Sequence, residues 1–267
     1  ISVIEVFLSD QRVGRMVLTV DGLCGFEYDL DWIKTGFSIS PFFLPLRPGL
    51  IIAKRDPFNG NFGVFDDSLP DGWGSLLLDR YLQEQGINPY KIDVLERLSL
   101  IGSTGRGALE YRPDKSIMSQ DDFIQFDHLA KEAYSILESR ESTDSVTMLY
   151  KYGGSSGGAR PKVFVKIEGK EWLVKFRATN DPNNVGDIEY RYSLLANECG
   201  VRMPKTKLFD GHYFGVERFD RTSLGKVHTI SAAGLLHANY RIPSLDYSIL
   251  LKLTMTLTKD MEQVDQM

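Results

Sequence analysis

Between residues 153 and 162 the chain reads Gly153-Gly154-Ser155-Ser156-Gly157-Gly158-Ala159-Arg160-Pro161-Lys162. Backbone N–H groups approach a phosphate closely only where Cβ atoms are absent, so a run of small residues like this one is suited to cradle phosphate oxygens. Two short apolar runs follow, the second ending Trp172-Leu173-Val174-Lys175-Phe176. A lysine inside an apolar strand just past a glycine turn adds a positive charge near the same phosphates. The pattern differs from the Gly-x4-Gly-Lys-Ser/Thr loop, because Lys162 is followed by Val163 and leads into a strand, not a helix.

The elements that must position these residues are legible around them. Residues 163–167, a Glu168-Gly169-Lys170 turn and residues 171–176 predict a tight hairpin. Lys175 alternates with Val174 and Phe176 and so projects from the opposite face. Asp187 can cap the next helix, whose apolar stripe is Ile188, Tyr192, Leu195 and Cys199, with Gly200 as its stop. Glu189 lies at the margin of that stripe, and a Lys–Glu pair between strand and helix is how kinases aim a lysine at phosphates. Further on, Glu217-Arg218-Phe219-Asp220-Arg221 follows a strand, where a hinge would offer backbone groups to an adenine.

Each piece has a plainer reading. Strand lysines commonly face water. Glycine runs serve as linkers. Alternating charges decorate surfaces. Ser155 and Ser156 are either phosphate ligands or acceptors of a phosphoryl group, or solvated loop residues. The joint order of glycine loop, hairpin lysine, helix acid and hinge favours a nucleotide site. Histidines 128, 212, 228 and 237 have no metal-ligand spacing, and no metal ligand is assigned. No nucleophile elbow or Cys–His signal is present.

Elsewhere, residues 1–65 read as mostly β: a strand at 3–8, a turn at Ser9-Asp10-Gln11, a strand at 13–20, and a second hairpin punctuated by Gly22 and Gly25 toward 26–28. Prolines 41, 45, 48 and 57 mark a long irregular surface stretch. A helical part over 66–86 takes Asp67 or Ser68 as cap and Pro70 in its first turn, with Trp73, Leu76, Leu77 and Tyr81 at helical spacing and Gly86 as stop. A helix is expected over 125–140, with Leu129, Ala133, Ile136 and Leu137 on one face, then a loop at Ser142-Thr143-Asp144-Ser145. Strands near 207–209 and 213–219 flank Asp210-Gly211-His212, and 245–257 is apolar with helical spacing.

The 267 residues suffice for one large or two smaller cores. With 42% hydrophobic and 25% charged residues the composition is that of an ordinary globular protein. A net charge of −5 argues against direct nucleic-acid binding. Two distant cysteines, Cys24 and Cys199, build neither a disulfide framework nor a zinc site and fit a reducing cytoplasm. No apolar run reaches the length of a membrane span, and no signal peptide is visible. The start at Ile1 suggests an N-terminus trimmed or numbered out. The expected fold class is α+β: a β-rich N-terminal subdomain at 1–112, a helical connector at 113–145, a kinase-like nucleotide-binding lobe at 146–244 and the start of a helical lobe at 245–267.

At this point the chain resembles the HipA-type serine/threonine kinases, toxins of bacterial toxin–antitoxin pairs. The resemblance is carried by Leu44-Pro45-Leu46-Arg47-Pro48-Gly49, by Phe62-Gly63-Val64-Phe65 with Leu69-Pro70-Asp71-Gly72-Trp73-Gly74, and by Gly102 to Gly107-Ala108-Leu109-Glu110-Tyr111-Arg112-Pro113. It continues through Gly158-Ala159-Arg160-Pro161-Lys162, Lys175, the helix holding Glu189, Val216-Glu217-Arg218-Phe219-Asp220-Arg221 and His228. The resemblance implies ATP and Mg²⁺ as cofactors. It implies nucleotide contacts from Ser156, Gly157, Gly158, Ala159, Lys162, Lys175, Glu217 and Phe219, with Glu189 in support and Ser155 as the autophosphorylated serine. It also implies a DNA-binding antitoxin of the HipB type, so that DNA contact is indirect, and growth inhibition by phosphorylating a translation component, for example an aminoacyl-tRNA synthetase.

The family's catalytic loop, with an Asp base and an Asn for magnesium, has no counterpart among these residues. The catalytic Asp and the metal ligands are expected beyond Met267, and the chain reads as a catalytically incomplete N-terminal portion whose 245–257 stretch could drive self-association. The alternatives are a non-catalytic module that binds an antitoxin or other partner, and a lipid or small-molecule kinase with a similar lobe.

Overall fold

The computed structural model describes residues 1–117, 124–139 and 143–267. Arg140 and Ser142, which bound the expected connector helix and loop, lie outside the described residues. The architecture is α+β, built on two antiparallel sheets with separate cores.

The first sheet has the order β4-β3-β2-β1-β5. Its strands are β1 (Val3–Leu8), β2 (Gln11–Leu18), β3 (Cys24–Tyr28), β4 (Ile51–Ile52) and β5 (Leu109–Arg112). The β1–β2 turn places Ser9 and Asp10 at φ of 48° and 66°, the left-handed twist that tight hairpins favour. Ile4, Val6, Val13, Met16 and Phe26 are buried beneath helices α1 (Leu30–Thr35), α2 (Gly63–Asp66) and α4 (Val94–Ile101) and the chain between them. The proline-marked stretch is irregular, as expected. It is not all surface, because Ile39, Leu44 and Ala53 enter this core.

Helix α3 (Gly72–Glu84) starts later than the sequence suggests. Asp71 is its N-cap, and Pro70 precedes it. The two expected caps are engaged elsewhere: Asp67 accepts bonds from the Ser231 N–H and hydroxyl at 2.6 and 2.7 Å, and Ser68 Oγ accepts from the Tyr111 hydroxyl at 2.6 Å. Although α3 lies within the first segment, its Trp73, Leu77, Leu78 and Leu82 belong to the second core. There they meet α5 (Phe126–Leu137) and α6 (Thr143–Gly153). Helix α6 stands where a loop is expected at residues 143–145. Val146, Leu149 and Tyr150 recur at helical spacing and are buried, so packing extends a helix through a polar beginning.

These helices cover one face of the second sheet, ordered β6-β7-β9-β8: β6 (Lys162–Ile167), β7 (Lys170–Lys175), β8 (Thr206–Phe209) and β9 (Tyr213–Glu217). Val163, Val165, Trp172 and Val174 point into that core. Helix α7 (Val185–Glu198) contacts β8 and β9. The apolar stripe read on α7 is not a core face: Tyr192 and Leu195 are 69% and 51% exposed, Cys199 is exposed, and the buried α7 residues are Gly186 and Ser193.

After β9 the chain makes a small hairpin, β10 (Arg221–Thr222) with β11 (Gly225–Lys226), and returns to the first core. His228 Nε2 lies 2.9 Å from the Ile39 carbonyl oxygen, and Ile230 packs on the first core. Helix α8 (Ala232–Leu236) then meets α2 where Gly63 faces Gly234. Helices α9 (Tyr247–Thr258) and α10 (Met261–Gln266) bury none of their residues. No described helix is long and apolar enough to cross a membrane.

A Cβ on Gly63 would come within 2.6 Å of Gly234 Cα. Gly63→Ala is therefore expected to destabilise the chain by about 1–3 kcal/mol, read as a lower urea midpoint at unchanged slope.

Candidate functional site

Cross-strand register places Lys162 directly opposite Lys175, Phe164 opposite Leu173, and Leu173 opposite Val216. These side chains share the sheet face that α3, α5 and α6 leave uncovered. It is an apolar floor with two amines at one end. Like charges directly opposite across a strand pair destabilise a sheet unless something neutralises them.

Lys175 is neutralised in part: its Nζ bonds Glu189 Oε2 of α7 at 2.6 Å. Lys162 is 6% exposed, and its ammonium donates to the Gly157 carbonyl at 2.5 Å, a neutral acceptor. Burial pushes its pKa down to about 8. The charge of Asp71 opposes that shift, while Lys175 and Arg106 add to it. An electropositive spot thus sits under the glycine loop. Lys175 also borders a 390 Å³ cavity that Lys131, Arg177 and His212 line.

The loop itself follows α6. Gly158 adopts φ of +87°. Its N–H donates to Asp71 Oδ1, and its carbonyl accepts from the Trp73 N–H at 2.9 Å. The N–H groups of Gly157, Ala159 and Arg160 have no partner among the described residues, so they are available to an anion. Arg160 is held aside by a two-pronged bond to Asp181, both contacts at 2.8 Å.

The two serines are not solvated loop residues. Ser156 is fully buried and its hydroxyl closes the end of α6 by donating to the Gly153 carbonyl at 2.6 Å. Ser155 is 9% exposed and donates to the Thr104 carbonyl at 3.0 Å. Both hydroxyls are thus engaged by backbone carbonyls, and Ser155 borders a cavity that Thr104, Phe164, Glu171 and Arg218 also line.

At the far end of the floor, the Glu217 N–H donates to the Lys205 carbonyl at 2.8 Å, and its carboxylate pairs with Lys170 at 3.0 Å. Phe219 is 67% exposed, with an N–H that has no partner among the described residues. The charged run around it is not a surface feature. Arg218 Nη2 and Arg221 Nη1 bond Asp220 Oδ2 at 2.7 and 3.0 Å, and both arginines donate to the Gly105 carbonyl. Gly107 N–H donates to the same Asp220 oxygen at 2.8 Å. Burial alone would raise the Asp220 pKa, but the bonds and charge of Arg218, with Gly107 and Arg221, hold it below the usual carboxylate range. The Arg218 guanidinium also lies 4.4 Å from the Phe164 ring centroid, over the apolar floor.

Sequence reasoning missed Asp71, Trp73, Thr104, Arg106 and the buried Arg218–Asp220–Arg221 group as parts of this site. The signal available was the spacing Asp71-Gly72-Trp73-Gly74, two glycines that permit close backbone approach. Among the described residues no group of three or more His, Cys, Asp or Glu side chains could hold a metal ion.

Two outcomes follow from this geometry. Asp220→Ala would leave two buried guanidinium groups with the partly exposed Glu171, at 3.4 and 3.3 Å, as their remaining carboxylate partner, and is expected to cost about 3 kcal/mol in chemical denaturation. The Lys162 ammonium has its pKa lowered from 10.5 to about 8, so the unfolded chain binds the extra proton between those values and stability gains a rising component with pH across that window. Lys162→Met should remove that component in urea titrations at several pH values.

Residues 4–112 match the HipA N-terminal domain, and residues 154–267 match the HipA-like C-terminal domain. No protein with a curated description matches the chain. Among solved structures, the chain is similar to that of the Shewanella oneidensis MR-1 toxin–antitoxin complex of HipA, HipB and operator DNA, with a TM-score of 0.64 and 18% identity. The match covers 94% of this chain and 64% of that one, so this chain spans under two thirds of the length of the protein it resembles. At that identity the likeness shows the fold. The two domain matches take in most of the sequence, and the chain belongs to the HipA family.

Proposed function

We propose that the chain is the nucleotide-binding portion of an ATP-dependent serine/threonine protein kinase of the HipA toxin type. The observation that carries this is the opposed pair Lys162 and Lys175 beneath a glycine loop with unpartnered N–H groups, Lys175 being tied to Glu189. A triphosphate along the apolar floor would neutralise both amines and take up those N–H groups. The adenine end would lie over Leu173 and Val216, near the unpartnered Phe219 N–H. ATP supplies the phosphoryl group when bound. What this chain contributes is charge, backbone donors and a shaped floor. Among the described residues no group of three or more His, Cys, Asp or Glu side chains comes together, and no magnesium ligand is assigned.

No residue of the sequence has the context of a catalytic Asp. Transfer by the 267-residue chain alone is therefore not expected. Ser155 is the proposed autophosphorylation site. A phosphate there adds roughly −1.5 to −2 charge in a buried position against the Thr104 carbonyl, so the modified loop could not remain seated. The proposed partner is a DNA-binding antitoxin of the HipB type, as in the Shewanella complex, and the proposed substrate is a component of translation in the cytoplasm. A net charge of −5 agrees with DNA contact through the partner.

The test is titration of ATP with the purified chain, together with its intact mass before and after Mg²⁺ and ATP. Binding without a mass change is expected, with affinity falling as pH rises above 8 because the Lys162 ammonium then deprotonates. Lys175→Ala should weaken binding about tenfold or more, corresponding to the loss of one charged contact. No ATP affinity in the unaltered chain would overturn the nucleotide reading. A phosphate-sized mass gain would show that the chain carries its own transfer machinery.

A further inference from the structure

The segment Leu69-Pro70-Asp71-Gly72-Trp73-Gly74 has no part in phosphate binding as described, yet it lies against the loop. Asp71 occupies the N-cap position of α3, but its carboxylate does not cap that helix. It accepts the Gly158 N–H instead. Trp73, whose N–H is one of the donors that a helix start leaves free, donates to the Gly158 carbonyl. One loop residue is therefore held by two bonds of opposite sense.

The approach depends on absent side chains. A Cβ on Gly72 would lie 2.7 Å from the Gly158 oxygen, and one on Gly74 would collide with the Ser156 oxygen. The Trp73 indole N–H also donates to the Lys162 carbonyl at 3.2 Å, where the loop becomes strand. An ordinary helix start needs neither the two glycines nor an acid turned away from its own first turn.

We propose that Asp71 is a positioning residue and that the 69–74 turn is the seat of the phosphate loop. It clamps Gly158 and thereby leaves the N–H groups of Gly157 and Ala159 turned out for an anion. Releasing Asp71 frees the loop and uncovers Ser155. The inference rests on the nucleotide reading above, but the seat itself is measurable without nucleotide.

The experiment is hydrogen exchange of residues 154–161 in the full chain without ligand, followed by ATP titration, for Asp71→Ala, Asp71→Asn and Gly74→Ala. Asp71→Ala removes the acceptor and should speed loop exchange about tenfold, with a loss of ATP affinity of the same order. Asp71→Asn keeps an acceptor oxygen and should retain most of both. Gly74→Ala leaves Asp71 in place but pushes the loop away, so it should reproduce the faster exchange. This variant carries the test if Asp71→Ala fails to fold. Unchanged loop exchange in Asp71→Ala, or in Gly74→Ala when that variant carries the test, would overturn the seat, and so would tighter ATP binding in Asp71→Ala. Faster exchange in a chain that binds no ATP at all would uphold the seat and reject the nucleotide reading.

Discussion

Two lysines face each other across one antiparallel strand pair, and only one of them has a carboxylate. Most of what surrounds the second sheet answers that imbalance. Glu189 enters from α7, Asp71 comes from the first segment, and the glycine loop bends back so that a carbonyl reaches Lys162. A sheet left with this pair unneutralised would be weaker, and a deeply buried ammonium is costly. Burial, more than any neighbouring charge, sets the behaviour of Lys162.

The same arrangement makes the two cores one machine. The turn at 102–107 leaves α4, takes the Ser155 hydroxyl through Thr104, and receives Arg218, Asp220 and Arg221 through Gly105 and Gly107. One short piece of the first segment thereby touches both the loop and the hinge. Helix α3 goes further and lends its apolar face to the second core while its start holds the loop. In return, residues after the hinge are pinned to the first core by His228, Ile230 and the Gly63–Gly234 contact. Hydrogen bonds that cross between the cores tie the N-terminal segment to the glycine loop.

The run that follows β9 shows how a charge pattern can mislead. Glu217-Arg218-Phe219-Asp220-Arg221 alternates as a solvated face does, yet the arginines and Asp220 are buried and the apolar Phe219 is the exposed member. The acid is compensated by two guanidinium groups and one backbone N–H, the condition under which buried charge survives. Alternation alone does not say which side of a strand end meets protein.

Local residue patterns suffice for the local elements: the hairpin turns at Ser9-Asp10 and Glu168-Gly169, the glycine loop, the face on which Lys175 stands, and the family motifs that run from residue 44 to residue 228. Those follow from φ preferences, strand alternation and residue type, all of which act over a few positions. The tertiary structure decided the rest. It extended α6 through a polar start, left the α7 stripe uncovered, buried Ser155 and Ser156, moved the α3 N-cap from the expected Asp67 or Ser68 to Asp71, and set the Asp71 carboxylate on the Gly158 N–H. The Ser155 and Asp71 outcomes depend on partners tens of residues away, Thr104 and Gly158, and no local pattern encodes which distant group will arrive.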